Sequence, residues 1–484
     1  MDSIGIVVLI ISFVVLLIKG VPIAYSIGIS GVLTMLVSID SLPAFTTYAQ
    51  RMASSLDSFS LLAIPFFILA GNIMNKGGIA LRLVDLARVL VGKTTGGLAF
   101  VNVFSNMLFG AISGSAAASA SAIGSIMTPE MKKEGYDEKF SAAVNITSAT
   151  TGLSIPPSNV LIVYSLASGG VSISALFIAG YIPGILTGLA IMLVAMSMLI
   201  LKRDGIMAAV TNVVKIVTVG IAFLGLLYFA PKLVSNTDLH ATIRWGIIGV
   251  VMAYVTFANR SRIPDAFHKF IRALPSLLML VIVIGGIIAG YFTATEASAV
   301  AVLYALILAL VYKEMSVRDL PDILIHSVKT TAIVLFLVST SMGLSWIMAY
   351  ENIPQTVSSA LLGISDNPYI ILIIINVILL LVGTFMDMTP AILIFTPIFL
   401  PIVTGQLGIS PIQFGIILIM NLSVGLCTPP VGSVLFIGCS VAKVKIEQVI
   451  RPLIPLFVAM IVVLLLVTFI PKLSLWLPTI FGAM

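Results

Sequence analysis

Residues 152–157 read Gly-Leu-Ser-Ile-Pro-Pro, and residues 425–430 read Gly-Leu-Cys-Thr-Pro-Pro. Each stretch interrupts a long apolar segment, and its paired prolines remove two backbone donors and end a helix. The two copies lie 273 residues apart (425 minus 152), and the same offset relates Gly110 to Gly383. Internal repeats with Gly/Pro-interrupted apolar segments at matching positions are typical of secondary transporters, whose site lies where the broken helices meet near the membrane midplane.

The composition requires a lipid environment. Of the 484 residues, 60% are hydrophobic and 9% are charged, and the mean hydropathy is +1.19, whereas ordinary soluble domains carry about a quarter charged residues. A spanning helix needs about 20 apolar residues. Spans are predicted at about 60–75, 175–200, 216–230, 243–258, 293–312, 331–349 and 452–470. We therefore predict an all-α polytopic membrane protein, whose first apolar run is retained because no basic n-region or cleavage site accompanies it.

Two apolar regions, 98–128 and 368–404, each resemble two half-length arms around a polar or glycine-containing tip, which predicts re-entrant hairpins. Basic residues in short loops stay on the cytoplasmic side of the membrane. If the first hairpin enters from the cytoplasm and the second from the periplasm, 21 of the 25 basic residues lie inside. The four outside are Arg51, Lys232, Arg244 and Lys472. In this topology the two halves are inverted and both termini are periplasmic.

Smaller features complete this map. Interruptions near Gly20 and Gly290, related by an offset of 270, divide the first apolar region of each half. Two segments that mix charge with apolar spacing, 76–97 and 314–330, predict amphipathic helices at the membrane interface.

Several function classes have little support in the residues. The basic residues form no patch or stripe suited to phosphates, which excludes nucleic acid as a partner. The histidines lack HExxH spacing and are expected in loops or interfaces, and the cysteines lie inside apolar segments, so neither a metal site nor a disulfide framework is predicted. These residues are His240, His268, His326, Cys427 and Cys439. The chain has no GxxxxGK[ST] motif for ATP.

The helix interruptions carry the candidate site. A helix that stops halfway leaves free carbonyls for a cation and free amides for an anion. In the first half, the hydroxyls of Ser113 and Ser115 flank Gly114, and hydroxyl and amide residues are concentrated over 150–159. For three other serines of this hairpin, helix packing is the preferred explanation. They are Ser119, Ser121 and Ser125.

Two acids lie within apolar stretches. Asp387 is in the middle of such a run, where an unpaired charge is a functional hypothesis by default, with pairing to a helix N-terminus as its structural alternative. Glu296 is equally compatible with a helix cap and an interface role. An intramembrane enzyme using both acids lacks a zinc motif and a nucleophile elbow, and we expect the chain not to be an enzyme.

Two longer segments, 154–184 and 386–432, resemble the large membrane subunit (the M, or DctM-like, subunit) of TRAP transporters, the tripartite ATP-independent periplasmic systems, and the resemblance covers nearly the whole chain. It implies an elevator-type, sodium-driven importer of a small organic anion, such as a carboxylate, a sialic acid or a sulfonate, in the bacterial inner membrane. The implied partners are two or more sodium ions, a small four-helix membrane subunit and a soluble periplasmic binding protein. A stand-alone sodium-coupled anion symporter of the same superfamily remains the alternative.

The resemblance also implies site residues, position by position. Each sodium site would lie at a hairpin tip against the following broken helix. The sodium residues are Ser113, Gly114, Gly152 and Ser154 for one site, and Gly383, Thr389, Gly425 and Thr428 for the other. Substrate contact is implied for Ser115, Ser158 and Asp387.

The expected organisation has five parts. They are 1–97 (first scaffold helices and arm), 98–200 (first hairpin and broken helix), 201–272 (central segments), 273–367 (second scaffold helices and arm) and 368–484 (second hairpin, broken helix and last membrane helix). The stretch 205–262 adds two apolar segments where typical family members are shorter, and it could dock the small subunit, partly replace it, or thicken the scaffold.

Overall fold

The computed structural model describes residues 2–92, 96–205, 207, 211, 263–365, 367–429 and 431–483, and all regular structure within them is helical. Two short 3-10 turns, Phe59–Leu62 and Val317–Asp319, accompany the α-helices. The α-helices are α1 Asp2–Ile18, α2 Ile23–Ser38, α3 Ser41–Ser55, α4 Ala63–Lys76, α5 Ile79–Val91, α6 Gly97–Ser113, α7 Ala116–Lys133, α8 Glu138–Ala149, α9 Thr151–Ser154, α10 Asn159–Ala167, α11 Ile173–Asp204, α12 Ile263–Ile288, α13 Ala294–Val311, α14 Leu320–Tyr350, α15 Ile353–Ile364, α16 Pro368–Phe385, α17 Met388–Gly405, α18 Pro411–Gly425, α19 Ser433–Ala442, α20 Ile446–Phe469 and α21 Lys472–Ile480.

Eight helices within the described part of the chain are long and apolar enough to cross a membrane by length and composition, which confirms a polytopic membrane protein. They include the spans predicted near 60–75, 175–200, 293–312, 331–349 and 452–470. The spans predicted at 216–230 and 243–258, and with them most of the extra stretch 205–262, lie outside the described residues.

The element order repeats as the two Gly-Leu-x-x-Pro-Pro copies indicate. The first hairpin (α6 and α7) is followed by the first broken helix (α8 with α9, then α10) and by the long α11. The second hairpin (α16 and α17) is followed by the second broken helix (α18, then α19) and by α20. The earlier breaks match too, because Gly20 and Gly290 both have positive φ, of 76° and 74°, which favours glycine.

Both interruptions lie inside the protein. Residues 151–158 are buried, and so are nearly all residues of α18 up to the second break. The two broken helices and the two hairpins pack against one another, with α7 on α19 and α10 on α17, so each half covers the break of the other. Irregular backbone at membrane depth is tolerated only where protein or a water-filled cavity surrounds it.

Two details differ from the sequence-based expectations. The hairpin arms have 17 and 18 residues in the first hairpin and 18 each in the second, or about 27 Å of helix per 18 residues, so they are not half-length. The charged stretch 314–330 is not a separate interfacial helix, because from Leu320 onward it continues into the 31-residue α14. By the 273 offset, the counterpart of α5 is α15.

Candidate functional site

Close glycine contacts join each hairpin to the broken helix that follows it. Gly110 lies against Gly152, since a Cβ placed on Gly110 would lie 2.7 Å from the Gly152 Cα. At the matching positions of the second half, a Cβ on Gly383 would lie 3.1 Å from the Gly425 Cα. These four glycines are the ones that the 273 offset pairs, so the two halves use the same contact to bring a hairpin tip to a helix break.

Buried amides strengthen the same contacts. In the first half, Asn106 Nδ2 donates to Ser148 Oγ over 2.8 Å, which links α6 to α8. In the second half, Asn421 Nδ2 donates to Asn376 Oδ1 over 2.7 Å, which links α18 to α16. All four side chains are buried, so these hydrogen bonds form in a low-dielectric interior, where leaving a polar group unpaired is costly. Each hairpin is thereby fixed to its own broken helix.

The tips and breaks surround one cavity of about 470 Å³, here called the large cavity. This volume lies within the usual range for small-molecule sites, about 300–1,000 Å³. One wall is formed by one face of α4 and one face of α14, which contribute Asn72, Asn75, His326 and Thr330. The opposite wall is formed by the two hairpin tips and the flanks of both breaks. Asn72 Nδ2 donates to Ser327 Oγ over 2.8 Å and joins α4 to α14.

Four helix N-termini line the large cavity. They belong to α7 at Ser115, α10 at Asn159, α17 at Asp387 and α19 at Ser433. The chain reaches the first of them through Gly114, whose φ of 62° ends α6 in a left-handed turn, and Ser115 caps α7 by accepting from Ala118 N over 3.2 Å. Helix N-termini present unpaired N–H groups and partial positive charge, so together they favour a bound anion.

Two buried oxygens at the first break have no hydrogen-bond partner among the residues that the structure describes. Ser158 is fully buried and its Oγ is unpartnered, and the adjacent Asn159 has an unpartnered Oδ1. Asn159 lies at the first tip, since a Cβ on Gly114 would lie 3.2 Å from its Nδ2. Buried acceptors without a donor are rare and costly. A bound cation, coordinated by these two oxygens, would satisfy them.

Five of the eleven residues selected from the sequence line the large cavity, and the other six lie around it. The lining residues are Ser113, Gly114, Ser115, Asp387 and Thr389. Gly152, Gly383 and Gly425 form the helix crossings, and Thr428 lies within the second break, where its Oγ1 donates to Val424 O over 2.8 Å. Ser154 faces a separate small cavity, and Ser158 is buried behind the first tip. Their assignments to sodium and substrate remain predictions.

The two acids have different environments. Asp387 occupies the N-cap position of α17 without a side-chain cap bond, is solvent-accessible, and forms no ion pair within the described residues. Glu296 forms a capping box with Thr293 at the start of α13, which decides the open question in favour of a helix cap. Glu296 does not line the large cavity, and Asp387 is the single acid among the described residues that do, so these residues provide no acid pair there.

Sequence reasoning missed part of the lining. His326, expected in a loop or interface, lies on α14 and faces the cavity, and Ser121, assigned to helix packing, also lines it. Ser119 does pack, because its Oγ donates to Asn106 Oδ1 over 2.7 Å. Asn72 and Asn75 could have been predicted to line a cavity, since they are amides on one face of an otherwise apolar span.

Comparison with known proteins places this architecture. Residues 10–473 match the family described as "Tripartite ATP-independent periplasmic transporter, DctM component". The uncharacterized protein YgiK of Salmonella typhimurium is 50% identical, over 99% of this chain and 98% of its own. The C4-dicarboxylate TRAP transporter large permease protein DctM of Pseudomonas aeruginosa is 36% identical over 94% of each chain. The sialic acid TRAP transporter large permease protein SiaM of Vibrio cholerae is 35% identical over 96% of each.

Among solved structures, the Alcanivorax borkumensis YdaH transporter has a similar fold. The TM-score is 0.58 at 14% sequence identity, and the superposition covers 92% of this chain and 90% of that one. At this identity the similarity concerns the fold alone.

Proposed function

Since the chain belongs to the DctM family as the large membrane subunit of a tripartite ATP-independent periplasmic transporter, we propose that it imports a small organic anion together with sodium ions. It is a multi-pass inner-membrane transport protein and not an enzyme. Subunits of this family work with a small membrane subunit and a periplasmic binding protein. The proposal concerns the coupling ion, the kind of substrate, and the movement.

The observation that carries the proposal is the convergence of four helix N-termini on the large cavity. Each contributes about half a positive charge, so together they exceed the single negative charge of Asp387. No lysine or arginine is among the residues described as lining the cavity. A carboxylate or sulfonate would therefore be held by backbone N–H groups and hydroxyls, Ser115 among them. Release of the anion would then not require an ion pair with a lysine or arginine to be broken.

Sodium would occupy the C-terminal ends of the helices that precede these tips and breaks, α6 and α9 in the first half and α16 and α18 in the second. At each tip the close glycine crossing brings the end of one hairpin arm next to the end of a broken helix, where carbonyl oxygens lack intrahelical donors. The unpartnered oxygens of Ser158 and Asn159 support such a site at the first tip. Two or more bound sodium ions would offset the charge of Asp387 and the substrate, and would stabilise the tips in one arrangement, which couples the ion gradient to substrate binding.

The location of the large cavity favours an elevator movement. One wall comes from the scaffold helices α4 and α14, and the other from the hairpins and broken helices, which pack together as a body. Asn75 and His326 line the cavity near Lys76 and Lys329, on the side that the positive-inside rule assigns to the cytoplasm. We interpret this as an inward-facing arrangement with re-entrant hairpins and periplasmic termini, in which 98–200 and 368–484 move against 1–97 and 273–367.

Uptake into proteoliposomes tests this function. The chain would be reconstituted with its small membrane subunit, and labelled anions supplied with a candidate binding protein under an inward sodium gradient. A C4-dicarboxylate, a sialic acid and a small sulfonate are the first substrates to compare. We expect accumulation of one anion with the sodium gradient and none with an equal choline gradient.

Two other results would change the account. Accumulation that is indifferent to sodium would remove the coupling. Full uptake without any binding protein would favour a stand-alone symporter of the same superfamily.

A further inference from the structure

A second, much smaller cavity lies inside the body formed by the hairpins and broken helices. Its volume is about 10 Å³, enough for one water-sized particle and no organic molecule. Five hydroxyl-bearing side chains line it, together with Val424 and two methionines. The hydroxyl residues are Thr150, Thr151, Ser154, Thr187 and Ser423. They come from α9 and the residue before it, from α11 and from α18, so the small cavity lies between the two inverted halves.

Most of these hydroxyls present oxygen lone pairs, because their hydrogens are already donated elsewhere. Thr151 Oγ1 donates to Ser148 O over 2.6 Å, and Thr187 Oγ1 donates to Pro183 O over 2.8 Å. Ser423 Oγ donates to Ile419 O over 2.8 Å, and Thr150 Oγ1 to Thr147 O over 2.9 Å. A hydroxyl has one hydrogen and two lone pairs, so what converges here is a set of acceptors.

Helix ends add to the negative electrostatic potential of the small cavity. Ser154 ends α9, the four-residue turn that continues α8 through the helical Thr150, and Ser423 lies in the last turn of α18, so two helix C-termini flank the small cavity. Helix C-termini carry about half a negative charge each and favour cations. This is the reverse of the large cavity, where N-termini converge.

We propose that the small cavity is a further binding site for a monovalent cation, with sodium as its ligand, in addition to the two hairpin-tip sites. Ser154, which the resemblance placed in the first tip site, lines this cavity and not the large one, so it is assigned to the new site. Hard cations take oxygen ligands, whereas divalent ions generally recruit carboxylates, and no cluster of acids, histidines or cysteines able to hold a metal occurs within the described residues. The proposal rests on the sodium coupling proposed above.

The site has a defined place in transport. None of its hydroxyl residues lines the large cavity, and the tip residues Ser113 and Gly114 do not line the small one. A cation here would join the helix before the first break to the helix before the second. It would therefore stabilise the arrangement in which both breaks are formed, and would add one ion to each transport cycle.

Sodium-dependent thermal stabilisation of the detergent-solubilised transporter tests the proposal. Unfolding would be followed while NaCl replaces choline chloride at constant ionic strength, since a ligand that binds only the native state raises its stability. Thr187→Val removes an acceptor at nearly constant volume. We expect the sodium concentration for half-maximal stabilisation to rise about tenfold, the effect of losing one hydrogen-bond-strength ligand to a charged group.

A matched control separates the site from general damage. Thr147 is buried and donates to Ala143 O over 2.9 Å, like the site threonines, but does not line the small cavity. Thr147→Val should respond to sodium as the wild type does. Ser423→Ala provides a second site variant, and each response is referred to the same variant in choline, which cancels any change in basal stability.

The outcomes are distinct. If the wild type gains stability in sodium, and both site variants gain it with the same midpoint, the small cavity holds water only and the proposal is wrong. If the wild type itself responds equally to sodium and choline, the proposed sodium coupling fails and this site fails with it. At sodium concentrations between the wild-type and Thr187→Val midpoints, isotopic flux should also show fewer sodium ions per substrate in Thr187→Val than in the wild type.

Discussion

At the scale of single residues, the unpaired atoms are the most informative feature of the site. Ser158 was selected from the sequence as a substrate contact, but its Oγ is fully buried behind the first tip and has no partner. This position suits a sodium ligand better than a substrate contact, because the substrate would occupy the large cavity and Ser158 does not line it.

Ser158→Ala should therefore have opposite effects with and without sodium. In choline, removing an unsatisfied buried hydroxyl should raise stability by about 1 kcal/mol. In sodium the variant should lose part of the ion-dependent gain. Ser105→Ala is the matched control, since Ser105 Oγ is also buried and unpartnered but lies in mid-α6. The measurement is the unfolding temperature of each variant in sodium chloride and in choline chloride. If Ser158→Ala and Ser105→Ala change by the same amount in both salts, Ser158 is not a sodium ligand.

The glycine crossings predict a second residue-scale effect. A Cβ on Gly110 meets backbone at 2.7 Å, whereas one on Gly383 meets it at 3.1 Å. Backbone cannot move aside as a flexible side chain can, so Gly110→Ala should destabilise by about 1–3 kcal/mol and Gly383→Ala by less. Gly285 lies within α12, and a Cβ placed on it would have no neighbouring atom within 4 Å among the described residues, so Gly285→Ala should be neutral or slightly stabilising. Thermal unfolding of the three variants is the measurement, and equal losses would mean that the crossings are not tight.

At the scale of elements, each hairpin and its broken helix form one unit. In both halves the contact consists of a glycine pair and a buried hydrogen bond that an asparagine side chain donates. The two donating asparagines are not at equivalent positions of the repeat. In the proposed elevator movement, a unit held in this way would change position as a body without rearranging its tip.

A double-mutant cycle on Asn376 and Asn421 tests that contact. Either single change to Leu leaves the other amide without its 2.7 Å partner and should cost about 1–3 kcal/mol. The double change removes both polar groups, so its cost should be less than the sum of the two single changes. Additive losses would show that the two amides act independently.

Much of this element structure could be predicted from the sequence, for identifiable reasons. The Gly-Leu-x-x-Pro-Pro copies gave both breaks and the repeat, because proline ends a helix whatever surrounds it. The arm lengths and the course of 314–330 could not be predicted, since helices continue past the end of an apolar run when their charged end projects beyond the membrane. Cavity residues such as His326 could not be found either, because α14 and the tips meet only in the fold.

At the scale of the whole molecule, the helix ends are sorted by sign. N-termini of α7, α10, α17 and α19 line the large cavity, while C-termini of α9 and α18 flank the small one. An inverted repeat, as the sequence predicts, would produce this arrangement, because two opposed breaks place like ends together. The proposed anion and its coupling cations would then bind a few residues apart, without a lysine or arginine among the described residues that line the large cavity.

Thiol labelling tests the course of this cavity through the membrane. Thr330 lines the large cavity, whereas Ile333, on the same helix and within the predicted span 331–349, is 63% exposed and does not line it. The native cysteines Cys427 and Cys439 are buried. A water-soluble reagent should label Thr330→Cys in inside-out vesicles and spare Ile333→Cys, which would face lipid. Labelling of Thr330→Cys only from the periplasmic side would reverse the proposed orientation.

The most direct test of the central claim is an experimental structure of the complex of large and small subunits in sodium with a transported anion. The account predicts anion density in the large cavity between Ser115 and Asp387, next to the N-termini of α7 and α17, with ion density at the carbonyl ends of the broken helices. Anion density outside this cavity, or identical maps in sodium and choline, would contradict it.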